Sequence, residues 1–281
     1  MENTKAKNVI IVVLILLLLC CLGYMVWQYV TLNNITNKPE VDVQQSEVNI
    51  QKLDVNSKLI EELHSYVPKK YGCRLVENAY QDKKVTLNDL SNDLILLNAF
   101  EVLEIKEEDK IVLPEFKDEE YPYNYEWYGF KPEVLQKNVK EMYGQTVKDE
   151  SFSGGAFGCN LVDGQYNYSY GGSCGCCSDI EYITITNAYK KGDEIYIEDK
   201  YMLVECNDEV REGECGDSIL SVYDSSNKTT KIGQVKHSFG NNDNMDLQIK
   251  QYEPKAQKYR HTYKLGENQT YYWYSSEPIM D

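Results

Sequence analysis

The 281-residue chain carries 29 Lys and Arg against 45 Asp and Glu, a formal charge of −16 with His neutral. Phosphate contacts need clustered cations, so no nucleic-acid partner is expected and anionic lipid surfaces are disfavoured. Tyr outnumbers Phe by 24 to 6, and Tyr, with its apolar body and polar tip, suits half-buried strands.

In chain order, residues 1–8 read as a cytoplasmic tail and Val9–Val30 as a transmembrane anchor. The run holds no charged residue and is long enough, as a helix, to cross a hydrocarbon layer of about 30 Å. A cleaved signal peptide has a shorter apolar core, whereas Met25, Trp27 and Tyr29 extend this one. Cys20 and Cys21 raise the alternative of a lipidated cysteine, but Leu19 stands where a lipoprotein carries a small residue. Lys5 and Lys7 precede the run, and no Lys or Arg follows it until Lys38. That bias puts the N-terminus in the cytoplasm and the C-terminal domain outside the cell, a single-pass signal-anchor topology in the cell membrane. Glu2 against Lys5 and Lys7 gives residues 1–30 a charge of +1, which leaves −17 on the outer part. Residues 31–55, polar and interrupted by Pro39, read as a stalk.

An extracytoplasmic domain is expected over 56–281, helical over 56–144 and β-rich over 156–277. Ser57 opens a first helix carrying Leu59, Ile60, Leu63, Tyr66 and Val67, and Pro68 stops it. Thr86 and Asp89 have the spacing of a capping box for a second helix. Its apolar stripe would be Leu87, Leu90, Leu94 and Leu97, widened by Ile95, Ala99 and Val102. Pro132 starts a third helix with Val134, Leu135, Val139 and Met142, and Gly144 ends it. Four hairpins follow. They are Phe157–Val162 with Gln165–Tyr170 around Asp163-Gly164, Glu181–Tyr189 with Glu194–Cys206, Ser218–Tyr223 with Thr229–Val235, and Gln257–Lys264 with Thr270–Ser276. Helices first and hairpins afterwards imply an α+β fold, with the N-terminal transmembrane helix followed by helices and then an antiparallel, curved sheet wrapped around the Thr86 helix. This element order resembles the cystatin-like folds and carries no functional weight.

Seven cysteines follow the anchor: Cys73, Cys159, Cys174, Cys176, Cys177, Cys206 and Cys215. Outside the cell, disulfides are the leading reading. Cys206 and Cys215 bracket a short polar loop and form one expected pair. Cys174-Gly175-Cys176-Cys177 lies in a glycine-rich turn and is expected to knot to Cys159 and Cys73. A thiolate metal site of Cys159, Cys174, Cys176 and Cys177 is a weaker rival, because adjacent cysteines rarely aim at one ion and no His lies nearby. Cys174 and Cys177 also have redox-pair spacing, yet such motifs precede a helix and this one lies between strands. Seven is odd, so at least one thiol stays free or pairs between chains.

No hydrolase elbow, phosphate loop, zinc-protease motif or dinucleotide fingerprint occurs, so neither a catalytic residue nor a cofactor is expected. His64, His237 and His261 lie in no motif and read as surface or hydrogen-bonded histidines. Leu203-Val204-Glu205-Cys206 with Arg211 resembles a sortase nucleophile strand. The required upstream His is missing between Ser65 and Glu205, and Glu205 replaces the usual Thr. Asn242, Asn244, Asp246 and Glu253 fall at calcium-loop offsets, but Leu247 replaces the required glycine. Asn34, Asn167, Asn227 and Asn268 match the glycosylation sequon.

Three stretches carry a family likeness: Thr86-Leu87-Asn88-Asp89-Leu90-Ser91-Asn92-Asp93, the Cys-Gly-Cys turn, and Tyr271-Tyr272-Trp273-Tyr274. They resemble single-span, membrane-anchored envelope proteins of low-GC Gram-positive bacteria. The resemblance spans most of the chain loosely and implies a location, not an activity. The expected function is non-catalytic binding of a small ligand or an envelope protein, with the membrane engaged through the N-terminal helix. A thiol-redox or thiol-dependent envelope enzyme is the alternative, and a purely structural tether is a third class.

Overall fold

Apolar and polar residues alternating at a period of two build the two sheets of the described residues. The computed structural model describes residues 50–69, 78–113, 128–154, 157–170, 179–205, 218–237 and 245–280. The clearest alternation lies in β8 (Ile180–Lys191) and β9 (Glu194–Glu205), which pair along their whole length. On β9, Ile195, Ile197, Asp199, Tyr201 and Leu203 point inward. The first half of β9 also pairs with β12 (Gln257–Leu265), which pairs with β13 (Tyr271–Pro278). The short strands β1 (Ile50–Lys52) and β2 (Val85–Thr86) close the two edges against β8 and β13. The last residues of β9 pair with β10 (Ser218–Tyr223), which carries β11 (Lys231–His237) beyond it. These eight strands form one antiparallel sheet.

A second, five-stranded sheet runs β3 (Ile111–Val112), β4 (Tyr128–Phe130), β7 (Gln165–Tyr170), β6 (Phe157–Val162), β5 (Phe152–Gly154). The β6–β7 hairpin turns where expected, at Asp163 (φ 50°) and Gly164 (φ 77°). Two consecutive left-handed residues match the strand twist of a two-residue hairpin.

The four α-helices among the described residues are short: α1 (Lys58–Ser65), α2 (Asn92–Glu101), α3 (Pro132–Tyr143) and α4 (Met245–Lys250). α2 packs against α3 and the small sheet, and α3 packs against β13. A continuous core therefore joins both sheets through these helices. A smaller core lies between α4, its following turn and β9–β11.

Three expectations are corrected here. The fold is not an α+β domain of helices followed by one curved sheet in cystatin-like order. It is mostly antiparallel sheet, in two sheets, with strands before and between the helices. The Thr86 capping box does form: Thr86 N and Oγ1 both donate to Asp89 Oδ2, at 2.8 and 2.7 Å. It closes only a 3-10 turn, because Leu90 is extended (φ −107°, ψ 146°) and Ser91 restarts the chain as the cap of α2. The ten-residue α2 is too short to be wrapped by a sheet. It is instead buried on every side, with six consecutive residues from Leu94 to Ala99 inside.

The second correction concerns the membrane. Among the described residues, no helix is long and apolar enough to cross a bilayer. The Val9–Val30 run lies outside the described residues. The third concerns disulfides. Among the described residues no disulfide forms, and Cys159 is a free, buried thiol. Strand alternation on β6 turns Asn160 outward and Cys159 inward, against the core. Cys73, Cys174, Cys176, Cys177, Cys206 and Cys215 lie outside the described residues.

Candidate functional site: a buried His–Asp–His centre and an open cleft

Asp199 is an acid at a core position of β9, where the alternation otherwise places Ile, Tyr and Leu. Its side chain is 0 % exposed. Three side chains converge on its Oδ2: His64 Nε2 at 2.8 Å, His261 Nε2 at 2.9 Å and the Tyr80 hydroxyl at 2.9 Å. Their positions follow from the fold. His64 sits in the last turn of α1 on its buried face. His261 faces inward on β12, where its neighbour Tyr259 is the cross-strand partner of Asp199. Tyr80 is held by its own backbone carbonyl, which accepts from Ser226 N, Ser226 Oγ and Tyr259 Oη.

The far side of His261 is also fixed. Ser276 lies directly across from it on β13, and its Oγ is 2.6 Å from His261 Nδ1. Trp273 Nε1 donates to the same Oγ at 2.9 Å. Since an ionised Asp199 only accepts, His261 Nε2 carries a hydrogen, and in the neutral imidazole Nδ1 then accepts from the Ser276 hydroxyl. A single directional chain therefore runs from Trp273 through Ser276 and His261 to Asp199. Aromatic rings wall it in: Tyr80 stacks on Tyr201 at 4.2 Å and meets His261 edge-on at 5.3 Å.

Burial pushes the Asp199 carboxyl up, but His261 and His64 outweigh it and hold the group well below the usual carboxylate range. Burial lowers the His64 pKa, and its bond to Asp199 only partly restores it. The centre is thus an ionised carboxylate met by three donors. The two Nε2 atoms and a carboxylate oxygen all lie within 4.8 Å of one another, a donor set that suits a divalent transition metal.

The second feature is open. A cleft of about 620 Å³ lies between the end of α3 and the β12–β13 turn. Lys137, Lys140 and Glu141 face it from α3, and Glu267, Asn268, Thr270 and Tyr272 from the other wall. Gly144 makes this meeting possible. It ends α3 in the left-handed region (φ 73°), and a Cβ there would come within 2.9 Å of the Tyr272 ring. The turn is pinned by Gly266 N donating to Thr270 O at 2.8 Å.

No protein-family model, no curated protein and no solved structure matches the chain.

Of the seven cysteines singled out in the sequence, Cys159 is the one within the described residues. Cys159 is walled in beside Phe152 and Tyr168 in the small sheet, where burial pushes its thiol well above the ordinary value. Its expected partners in the disulfide knot and the thiolate metal set, Cys73, Cys174, Cys176 and Cys177, lie outside the described residues. Cys206 and Arg211 of the sortase-like stretch lie outside the described residues. The calcium-loop offsets are broken by α4, whose Asp246 accepts from the Tyr182 hydroxyl at 3.0 Å. Of the histidines read as surface or hydrogen-bonded, His64 and His261 are buried and bonded. The side chain of His237 lies outside the described ones.

Proposed function

We propose that residues 49–281 form a non-catalytic binding domain of the cell envelope, with its ligand held in the cleft between α3 and the β12–β13 turn. One observation carries this reading. The cleft combines two lysines, two carboxylates, an amide, a hydroxyl and an aromatic ring around a volume typical of small-molecule sites. Such a lining suits a ligand that is itself mixed, with sugar-like faces for Tyr272, amides for Asn268 and carboxylates for Lys137 and Lys140. The side chain of Asp199, in contrast, is fully buried.

A peptidoglycan disaccharide carrying its stem peptide presents all three chemistries and serves as the probe. Titrated into the full-length chain and followed by calorimetry, it binds, and Lys137→Ala/Lys140→Ala and Tyr272→Ala each weaken it about tenfold or more, the factor that about 1.4 kcal/mol commands. Chromatography of the recovered probe shows it unchanged. Binding indifferent to both variants, or no binding, would remove the cleft from consideration. A cleaved or transferred probe would overturn the non-catalytic reading.

A further inference from the structure

Asp199 is a carboxylate in the core that, among the described residues, no Lys or Arg answers. Among the described residues its ionic partners are His64 and His261 alone; neither Lys nor Arg pairs with it. Burying a carboxylate without a counter-charge is costly, and proteins normally resolve it by pairing or by a metal. The hydrogen bonding is also lopsided. Oδ2 takes all three donors, while Oδ1, equally buried, has no partner.

We propose that His64, Asp199 and His261 form a binding site for one divalent transition-metal ion, zinc being the representative. The donors are the two Nε2 atoms and the Asp199 carboxylate, whose unpartnered Oδ1 supplies a fourth donor atom. The spacing is close. Two ligand atoms, each about 2.0–2.1 Å from one tetrahedral ion, stand about 3.3–3.4 Å apart. The observed Nε2···Oδ2 separations are 2.8 and 2.9 Å, so an ion that replaces the hydrogens spreads the ligands by about half an ångström. Metal-bound histidines have their second nitrogen held by an outer group. Ser276, itself anchored by Trp273, holds Nδ1 of His261.

The exchange needs no co-reactant. A neutral imidazole that donates through Nε2 frees that lone pair by carrying its hydrogen on Nδ1 instead. For His261 the Ser276 hydroxyl accommodates this, since it accepts from Nδ1–H as readily as it donates to Nδ1. Tyr80 keeps its hydrogen bond to the carboxylate. His64, with its side chain 10 % exposed, is the member nearest solvent and the side from which an ion arrives.

The test uses the full-length chain, stripped with EDTA and then dialysed against zinc, with metal content measured by mass spectrometry. One ion per chain is expected, with a raised thermal midpoint that EDTA reverses. Cobalt in place of zinc gives a d–d spectrum of nitrogen and oxygen ligands without thiolate charge-transfer bands, which separates this site from the cysteines. His64→Gln abolishes binding, and Ser276→Ala, which leaves the ligands in place, weakens it about 10–100-fold. A folded wild-type chain that takes up no zinc and shows no shift of midpoint overturns the proposal. So does uptake identical in wild type and His64→Gln, or a thiolate cobalt spectrum. Should His64→Gln fail to fold, the wild-type cobalt spectrum and the effect of EDTA on its midpoint decide alone.

Discussion

Glu198 and Asp199 are neighbours on β9 and face opposite sides of the large sheet. Glu198 lies on the solvated face. Its Oε1 accepts from Arg260 Nε and Nη2, at 3.1 and 2.9 Å, and its Oε2 accepts from Asn187 at 3.1 Å. Asp199 lies on the dry face and is met by two imidazoles and a phenol. A shift of one residue along the strand thus exchanges water for protein as the solvent of a carboxylate. The outer pair has high-dielectric surroundings that weaken its attraction and cheapen its loss. The inner cluster has neither, so everything it lacks must come from its few partners.

The largest expected effect is therefore on the inner side. Asp199→Ala strands two imidazoles and the Tyr80 hydroxyl in the core and removes the tie between α1, β9 and β12. It should cost about 3–5 kcal/mol, read by urea unfolding in the presence of EDTA so that bound metal does not contribute. Asp199→Asn, whose amide oxygen still accepts, should cost less. A loss for Asp199→Ala below about 1 kcal/mol, the range of surface pairs, would dissolve the distinction between the two faces.

The same contrast marks how far the sequence could be read. Elements whose signals are local were legible: Pro132 and Gly144 delimit α3, and Asp163-Gly164 sets the β6–β7 turn. Thr86 shows the limit. Its capping box is a local fact, but whether it starts a helix or a single turn depended on Leu90, whose extended backbone no period reveals. The two-sheet architecture was hidden because β2, β3 and β4 are two or three residues long, held by pairing partners far along the chain. The centre was half legible. An acid at the parity of Ile195, Ile197, Tyr201 and Leu203 announces a buried charge. Nothing in the sequence says that His64, 135 residues away, answers it, because that meeting is made by α1 packing on the sheet.

A smaller effect should appear with pH. The folded pKa values of His64 and Asp199 both lie below their ordinary values of 6.5 and 3.8. Between the folded and unfolded values of each group, the unfolded chain binds more protons than the folded one, so stability rises with pH there. The contribution of His64 is complete above its ordinary value and is lost as pH falls through and below it. That of Asp199 is complete above its ordinary value and is lost only in stronger acid. Unfolding free energy should thus decline from pH 7.5 to 5 and again below pH 4. His64→Gln should flatten the upper step and shrink the lower one without removing it, because His261 still holds the Asp199 pKa down. An upper step of the same size in that variant would assign it to groups elsewhere.

The smallest effect belongs to the outer pair. The Arg260 side chain is 34 % exposed and that of Glu198 18 %. A pair so placed is worth about 0.2–1 kcal/mol. A double-mutant cycle of Arg260→Ala and Glu198→Gln should return a coupling within that range, and the coupling should shrink as salt rises, since solvent-exposed charges are screened. The single variant Arg260→Ala should cost more than the coupling. The Arg260 guanidinium also hydrogen-bonds the Tyr189 side chain, so truncation removes that contact as well. A coupling above about 2 kcal/mol, or one indifferent to salt, would mean that the outer face is as dry as the inner. The contrast between Glu198 and Asp199 would then have to rest on partner chemistry rather than on solvent.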